Sequence, residues 1–169
     1  MAKLWVSVRR FLRSLSLPKP PTDQRWIVFD DGRVAFLAPT AYAMHRERDE
    51  TVAVYPPGKD SGVTLRLSLH VRQLDPRMPA DIAEQYVTEQ ASQKDVPLTR
   101  LNDRVFLTES REGASPYPNR KALYHFWQIG AGRIFVVASA TIWGADRESP
   151  MVRNALAVVP KIIESIRLT

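Results

Sequence analysis

The stretch from Val63 to Val71 alternates between apolar and polar side chains without interruption. The apolar positions are Val63, Leu65, Leu67, Leu69 and Val71, and the polar ones between them are Thr64, Arg66, Ser68 and His70. A period of two is that of a β-strand with one buried face and one polar face. The rest of the chain must therefore supply apolar surface that covers this strand.

Two further β-rich segments precede this strand. Trp26 to Phe29 and Arg33 to Leu37 flank Asp30-Asp31-Gly32, and an Asp-Gly pair favours a tight hairpin turn. Residues 51–55 predict a third strand, and the polar residues 41–50 predict a helical turn or a loop. Because the connections are short, we expect these first four strands to be antiparallel neighbours.

The middle of the chain predicts one helix and a long hairpin. A helix from Pro79 to about Ser92 has only one modest apolar face, and a strand follows at residues 105–110. Residues 122–129 and 133–142 predict two long strands joined by Gly130-Ala131-Gly132. Ala138 and Ala140 in the last strand leave room for a helix to approach.

The C-terminal segment predicts that helix. Ser149 is a good N-cap residue and Pro150 suits the first helical position. An apolar stripe follows at helical spacing: Val152, Leu156, Val159, Ile163 and Ile166. Pro160 is expected to kink the helix or to split it near Val159. Packing of this stripe is predicted to be the main stabiliser of the fold.

The length and composition indicate one domain, residues 25–169, preceded by a basic segment, residues 1–24. The chain has 169 residues, of which 44% are hydrophobic and 25% charged, as in ordinary globular proteins. It has no cysteine. Disulfides, thiolate nucleophiles and thiolate metal sites are therefore excluded, and a small disulfide-stapled secreted protein is disfavoured.

Residues 3–17 predict a short basic amphipathic helix, which ends before a proline-rich linker. Its apolar and basic positions are Leu4, Trp5, Val8, Arg9, Arg10, Phe11, Leu12, Arg13 and Leu15. Three interpretations stay open: docking on the domain or on a partner, binding to an anionic membrane surface, and an organelle transit peptide. The apolar run is too short for a secretory signal, and no run of about 18 apolar residues suits a membrane span.

The net charge of +6 is concentrated in this basic segment. Residues 1–24 contribute +4, from five cations and one carboxylate, so the remaining residues carry only +2. A nearly neutral domain lacks the electrostatic footprint of a nucleic-acid-binding protein. The strand from Thr64 to Arg72 also shows no aromatic residue on its polar face for base stacking. We therefore expect no nucleic-acid partner.

Two segments resemble the PsbP-like α/β/α sandwich, a superfamily that includes the bacterial DcrB-type proteins. They are Gly32-Arg-Val-Ala-Phe-Leu-Ala-Pro39, which leads into a polar segment, and the final helix with its ending Ile163-Glu-Ser-Ile166. The resemblance covers roughly residues 25–168. It implies an α+β fold, with an antiparallel twisted sheet of about six to seven strands and a helix on each side. Members serve mainly as binding proteins: photosystem accessory subunits, a Ran-binding protein and chaperones for type VI secretion effectors.

No motif of catalysis, metal binding or cofactor binding is present. His45, His70 and His125 form no HExxH-type spacing, and GxSxG and GxxxxGK[ST] are absent. The pattern predicts that His70 is solvated and that His125 is a partly buried, hydrogen-bonded residue. We interpret Asp30-Asp31 as turn residues and not as a catalytic carboxylate pair, because adjacent residues in a hairpin point apart. We therefore expect no enzymatic activity, no cofactor and no metal.

The sequence thus favours a non-catalytic bacterial protein that binds another protein, possible roles being a secretion-system chaperone, an adaptor and a toxin-neutralising immunity protein. The candidate surface for an acidic partner is the polar strand face: Thr64, Arg66, Ser68, His70 and Arg72. Arg66 and Arg72 would be charge-assisted donors. The expected location is the cytoplasm. The alternative is a peripheral membrane or organelle-targeted accessory subunit that uses residues 3–17.

Overall fold

The computed structural model describes residues 17–29, 32–47, 51–57, 64–101, 104–114, 121–143 and 149–168. The predicted N-terminal helix lies outside them, apart from Leu17. The strands are β1 (Gln24–Phe29), β2 (Val34–Pro39), β3 (Ala43–Arg46), β4 (Val52–Tyr55), β5 (Thr64–Gln73), β6 (Leu98–Leu101), β7 (Arg104–Ala114), β8 (Lys121–Ala131), β9 (Ile134–Trp143) and β10 (Arg167–Leu168). The helices are α1 (Ile82–Lys94) and α2 (Pro150–Glu164).

Seven strands form one antiparallel sheet in the order β3-β4-β5-β9-β8-β7-β6. The predicted alternating strand is β5, near the middle of this sheet, and it pairs with β9 along its whole length. Leu67 and Leu69 are buried, whereas His70 and Arg72 are exposed. The predicted buried face of this strand is thereby confirmed at these positions.

The core face of the sheet, which carries Leu67 and Leu69, packs against α2 and a second, smaller sheet. Ala138 and Ala140 on β9 stand opposite Leu69 and Leu67, and neither alanine is accessible to solvent. Their small side chains let α2 approach, as predicted. Each fully buried Leu, Ile or Val contributes about 1.5–3 kcal/mol before conformational entropy is counted. The buried apolar side chains between this face, α2 and the smaller sheet form the larger of the two hydrophobic clusters among the described residues.

The first hairpin is present but belongs to the smaller sheet, whose order is β1-β2-β10. The expectation that the first four strands are successive neighbours is therefore wrong. Three consecutive residues of β2, Val34 to Phe36, are fully buried, so this strand is enclosed on both faces instead of being half solvated. The predicted turn or loop at residues 41–50 contains strand β3, which pairs with β4.

Helix α2 begins as predicted. The Ser149 hydroxyl accepts a hydrogen bond from the Val152 amide at 3.2 Å, and Pro150 is the first helical residue. The helix continues through Pro160 to Glu164, so the predicted split near Val159 is wrong. Most of the predicted stripe is buried, but Leu156 is only partly buried, and Ala155 and Ile162 complete the packed face.

Helix α1 lies on the opposite face, which we call the α1 face, over β7 and β8. A Cβ atom on Gly130 would lie 2.3 Å from the Ala83 carbonyl oxygen, so the missing side chain lets the helix backbone approach β8. Gly130 was predicted to be part of the hairpin link, but β8 extends to Ala131 and the turn is at Gly132, with φ of 55°. The fold is thus α+β, with a large antiparallel sheet between two helices. Neither described helix is both long and apolar enough to cross a bilayer.

Candidate functional site

The predicted partner surface lies on the α1 face of β5, beyond the part that α1 covers. Its side chains differ in their exposure to solvent and in whether they are already paired. Arg66 forms an ion pair with Glu47, while its Nε–H is buried and has no hydrogen-bond partner among the described residues. Ser68 is buried, with 6% of its surface exposed. The side chain of Thr64 is outside what the structure describes.

His70 and Arg72 lie toward the other end of the same strand. The His70 ring is exposed, and its Nδ1 is 3.1 Å from the Thr51 hydroxyl, so its orientation is fixed. Arg72 is exposed and stands opposite Phe135 on β9. Phe135 makes an edge-on contact with Tyr86 of α1, with ring centroids 5.2 Å apart. Of the two arginines proposed as donors, Arg72 is the more exposed, whereas Arg66 is partly exposed and paired with Glu47.

Neighbouring strands extend this surface. Arg66, Ser68 and His70 stand opposite residues of β9 that share their face, and β8 continues the rows. We call the resulting set the binding strip, and it consists of Arg66, Ser68, His70 and Arg72 on β5, Val137, Ser139 and Thr141 on β9, and Tyr124, Phe126 and Gln128 on β8. Its β9 and β8 members are partly exposed. Sequence periodicity placed these side chains on one face of each strand, but it did not show which strands adjoin β5.

A shallow pocket of about 140 Å³ marks the edge of the binding strip beside α1. Its lining includes Phe126, Gln128 and Val137, and the Lys94 ammonium and Glu109 carboxylate, which are 2.5 Å apart, close one side. The Gln128 side-chain oxygen is buried and has no hydrogen-bond partner among the described residues. A buried acceptor without a partner costs free energy, and a donor from a bound molecule would recover it.

The core face contains a second cavity, a groove of about 310 Å³ between α2 and the strands β7 and β8. We call it the His125 groove. Its lining is Phe106, Thr108, His125, Trp127, Leu156, Val159, Pro160, Ile163 and Glu164. The lining is mostly apolar and aromatic with few polar groups, which is the usual composition of a small-molecule site.

His125 is the histidine of this groove. Its Nδ1 is 2.6 Å from the Ser110 hydroxyl, so it is partly buried and hydrogen-bonded, as the pattern predicted. Its ring stacks on Trp127, with centroids 6.2 Å apart. Burial lowers the pKa of His125 below its usual value, which favours the neutral ring. The other ring nitrogen, Nε2, is buried without a hydrogen-bond partner in the described part of the chain.

The sequence did not reveal this groove. His125 stood out as a polar residue among Leu123, Tyr124, Phe126 and Trp127, and that was the available signal. Its partners come from α2, about 30 residues later, and no local pattern indicates that Leu156 borders a cavity instead of the core. Within the described ranges, no three His, Asp or Glu residues are grouped closely enough to hold a metal ion.

Comparison with known proteins gives similarity of fold only. No protein-family model and no curated protein sequence matches the chain. A crystal structure of a Bacteroides thetaiotaomicron VPI-5482 protein matches 88% of the chain with a TM-score of 0.64 and 10% sequence identity. The match covers 49% of that protein, so the chain spans about half of its length.

A second match is the solution structure of cyanobacterial PsbP (CyanoP) from Synechocystis sp. PCC 6803. It covers 91% of this chain and 99% of CyanoP, with a TM-score of 0.36 and 9% identity. The PsbP-like resemblance stated from the sequence is therefore matched by a PsbP protein among the solved structures. It remains a resemblance, and at this TM-score no conclusion about function rests on it.

Proposed function

We propose that the protein is a non-catalytic binding module that holds an acidic segment of another protein on the binding strip. One observation carries the proposal: Arg66 Nε and Gln128 Oε1, two buried polar atoms without hydrogen-bond partners among the described residues, both lie on this strip. Buried polar groups are normally paired, because an unpaired one costs about 1–3 kcal/mol. A bound polypeptide would supply the missing partners.

The charges of the strip favour an acidic partner. Arg72 is exposed, and no ion pair involving it is found among the described residues. Two carboxylates of an extended segment, one at Arg72 and one at the Arg66 Nε–H about 20 Å away along β5, would each form charge-assisted hydrogen bonds, which are stronger than neutral ones. Glu47 already neutralises part of Arg66, so Arg72 is the principal electrostatic contributor.

The neighbouring strands supply apolar and neutral polar contact. Val137, Ser139 and Thr141 are partly exposed in the middle of the sheet, where a rigid backbone fixes their positions. Preorganised side chains lose little entropy on binding, which favours affinity. A secretion-system chaperone, an adaptor and a toxin-neutralising protein all need such a surface, and the proposal places this function in the bacterial cytoplasm.

The test is affinity capture from the native host with three forms of the full chain. The wild type is compared with Arg72→Glu, which reverses charge on the strip, and with Arg153→Glu, which reverses an exposed charge on α2. We expect a protein that is enriched by the wild type and by Arg153→Glu, and reduced at least about tenfold by Arg72→Glu. The captured protein should bind less tightly as salt is raised. Equal capture by all three forms, or no enriched protein, contradicts the proposal.

The amphipathic pattern of residues 3–17 supports a second candidate function, a peripheral membrane subunit. Its test is co-sedimentation with anionic liposomes of the full chain and of a variant without residues 1–16. The deletion stops there because the Trp26 indole N–H donates to the Pro18 carbonyl at 2.7 Å, so the rest of the linker stays. Binding that disappears with the deletion supports this function, and absence of binding by the full chain removes it.

A further inference from the structure

The His125 groove has a floor made by two strands and a wall made by one face of a helix. On the floor, Thr108 of β7 stands opposite Trp127 of β8, and Phe106 and His125 lie on the same face at alternate positions of these strands. The wall residues follow the spacing of a single helix face, and they are Leu156, Val159, Pro160, Ile163 and Glu164. Its volume of about 310 Å³ is at the lower end of the range for small-molecule sites, so a ligand must be small.

The charged groups near the groove do not favour an ion of either sign. Glu164 is the charged residue of the lining, but its side chain is exposed at the end of α2. The buried Arg104 guanidinium donates to the Glu164 carbonyl oxygen at 2.5 Å and is outside the lining. Because these two opposite charges lie at the same end, a charged ligand would lose hydration without gaining an ion pair inside the groove. The groove therefore favours an uncharged ligand.

One buried polar atom of this apolar groove has no partner among the described residues, and it is Nε2 of His125. The other ring nitrogen, Nδ1, is 2.6 Å from the Ser110 hydroxyl. That hydroxyl can donate or accept, so the neutral ring can carry its proton on either nitrogen. Nε2 needs a donor in one tautomer and an acceptor in the other. A hydroxyl group on a ligand satisfies both cases, and it would remove the cost of a buried atom without a hydrogen bond.

Aromatic rings supply most of the floor. Phe106, Trp127 and His125 all line it, and the rings of Trp127 and His125 are stacked with centroids 6.2 Å apart. Rings that meet edge-on or in offset stacks gain more than the burial of their area alone provides. On the wall, Leu156 and Pro160 keep apolar surface exposed beside these rings. A flat apolar body between floor and wall would take both surfaces out of water.

We propose that the His125 groove binds a small uncharged phenol. The ring of the ligand lies between the aromatic floor and the apolar side chains of α2, and its hydroxyl forms a hydrogen bond with His125 Nε2. The aromatic floor selects a ring, the unpartnered nitrogen selects a hydroxyl, and the absence of an available charge partner in the described lining selects against ions. This site is on the core face, so it is independent of the binding strip.

Four probes with a shared methylphenyl body test the proposal: para-cresol, para-xylene, which has a methyl group in place of the hydroxyl, and the ions para-toluate and para-methylbenzylammonium. Each is titrated into the full chain while backbone amide signals are followed by NMR. At about 5 mM or less, para-cresol should shift the signals of Trp127 and Val159 and leave that of Val87 in α1 unchanged. Although para-xylene is more apolar, it should bind about 3- to 10-fold more weakly because it lacks the hydrogen bond. Both ions should bind at least about 5-fold more weakly than para-cresol.

Variants assign the hydroxyl and the ring separately. His125→Phe should remove the preference for para-cresol over para-xylene, whereas His45→Phe, the matched change on exposed β3, should keep it. Leu156→Trp fills the groove from a partly exposed position and should weaken both probes at least about 10-fold. The proposal is overturned if para-cresol fails to bind or shifts signals only elsewhere, or if para-xylene or either ion binds as tightly. It is equally overturned if the two histidine variants behave alike, or if Leu156→Trp leaves binding unchanged.

Discussion

The two faces of the central sheet are built from the same strands but have different degrees of cover. On the core face, α2 and the smaller sheet bury Leu67, Leu69, Ala138 and Ala140 almost completely. On the α1 face, the helix covers the region around Gly130, and Val137 remains partly exposed. The core face therefore supplies most of the stability, whereas the α1 face has partly exposed side chains that a partner could contact.

The largest expected effect comes from truncating the core face. Leu69→Ala removes a fully buried side chain opposite Ala138 and should lower the free energy of unfolding by about 2–5 kcal/mol. The matched change on the other face, Val137→Ala, should cost less than about 1 kcal/mol, because that side chain is partly exposed. Equilibrium denaturation in urea measures both. Equal losses would contradict the proposed division between the faces.

The next effect concerns the part of the α1 face that the helix does cover. Gly130→Ala would place a Cβ atom against the Ala83 backbone, which cannot move without displacing α1. We expect a loss of about 1–3 kcal/mol, as for other overpacked contacts. Gly132→Asn is the control, since asparagine tolerates the positive φ of the turn. If Gly130→Ala is as stable as the wild type, the helix does not depend on this close approach.

The sequence predicted local structure well where a single periodicity settles it. The alternation at Leu67 and Leu69 indicated the buried face of β5, and Ser149-Pro150 indicated the start of α2. The sequence also predicted that the polar face of β5 is a surface, but it did not predict which residues of β9 and β8 lie beside that face. It also missed that Arg66 would be paired with Glu47. Strand order and long-range contacts depend on tertiary packing, which short-range pattern does not encode.

The same limit explains the errors. The hairpin β1–β2 was recognised from its turn, but nothing in a turn specifies which sheet the strands join. The His125 groove is formed where α2 passes beside β7 and β8, so it depends on the position of a helix and not on any motif. Pro160 predicted a kink or a split near Val159; the helix is not split, because its flanking residues Val159, Ile162 and Ile163 are held in the core.

A smaller effect is expected at the start of α2, whose packing seals the core face. Ser149→Ala removes the hydroxyl that accepts from the Val152 amide and should cost about 1 kcal/mol. Ser92→Ala, an exposed change near the end of α1, should stay within about 0.5 kcal/mol of the wild type. Thermal and urea unfolding of the two variants measure the difference. A cost at Ser92 as large as that at Ser149 would show that α1 is as important to stability as α2.

The smallest effect is a pH dependence that originates on the core face. Because burial lowers the pKa of His125, the unfolded chain binds this proton more readily than the folded one, so stability falls as pH drops below about 6.5. Among the described residues, Thr108 on β7 lines the groove and Ser110 on β7 bonds to this ring, both without charge; Glu164 is the charged residue of the lining, and the buried Arg104 guanidinium lies at the Glu164 end of the groove. His125→Gln should therefore flatten the fall in stability between about pH 6.5 and 5, whereas Asn154→Gln, an exposed change on α2 that involves no titratable group, should retain the wild-type slope. A fall in stability that persists unchanged in His125→Gln would place the proton-sensitive group outside the groove, because the substituted side chain cannot take up the proton.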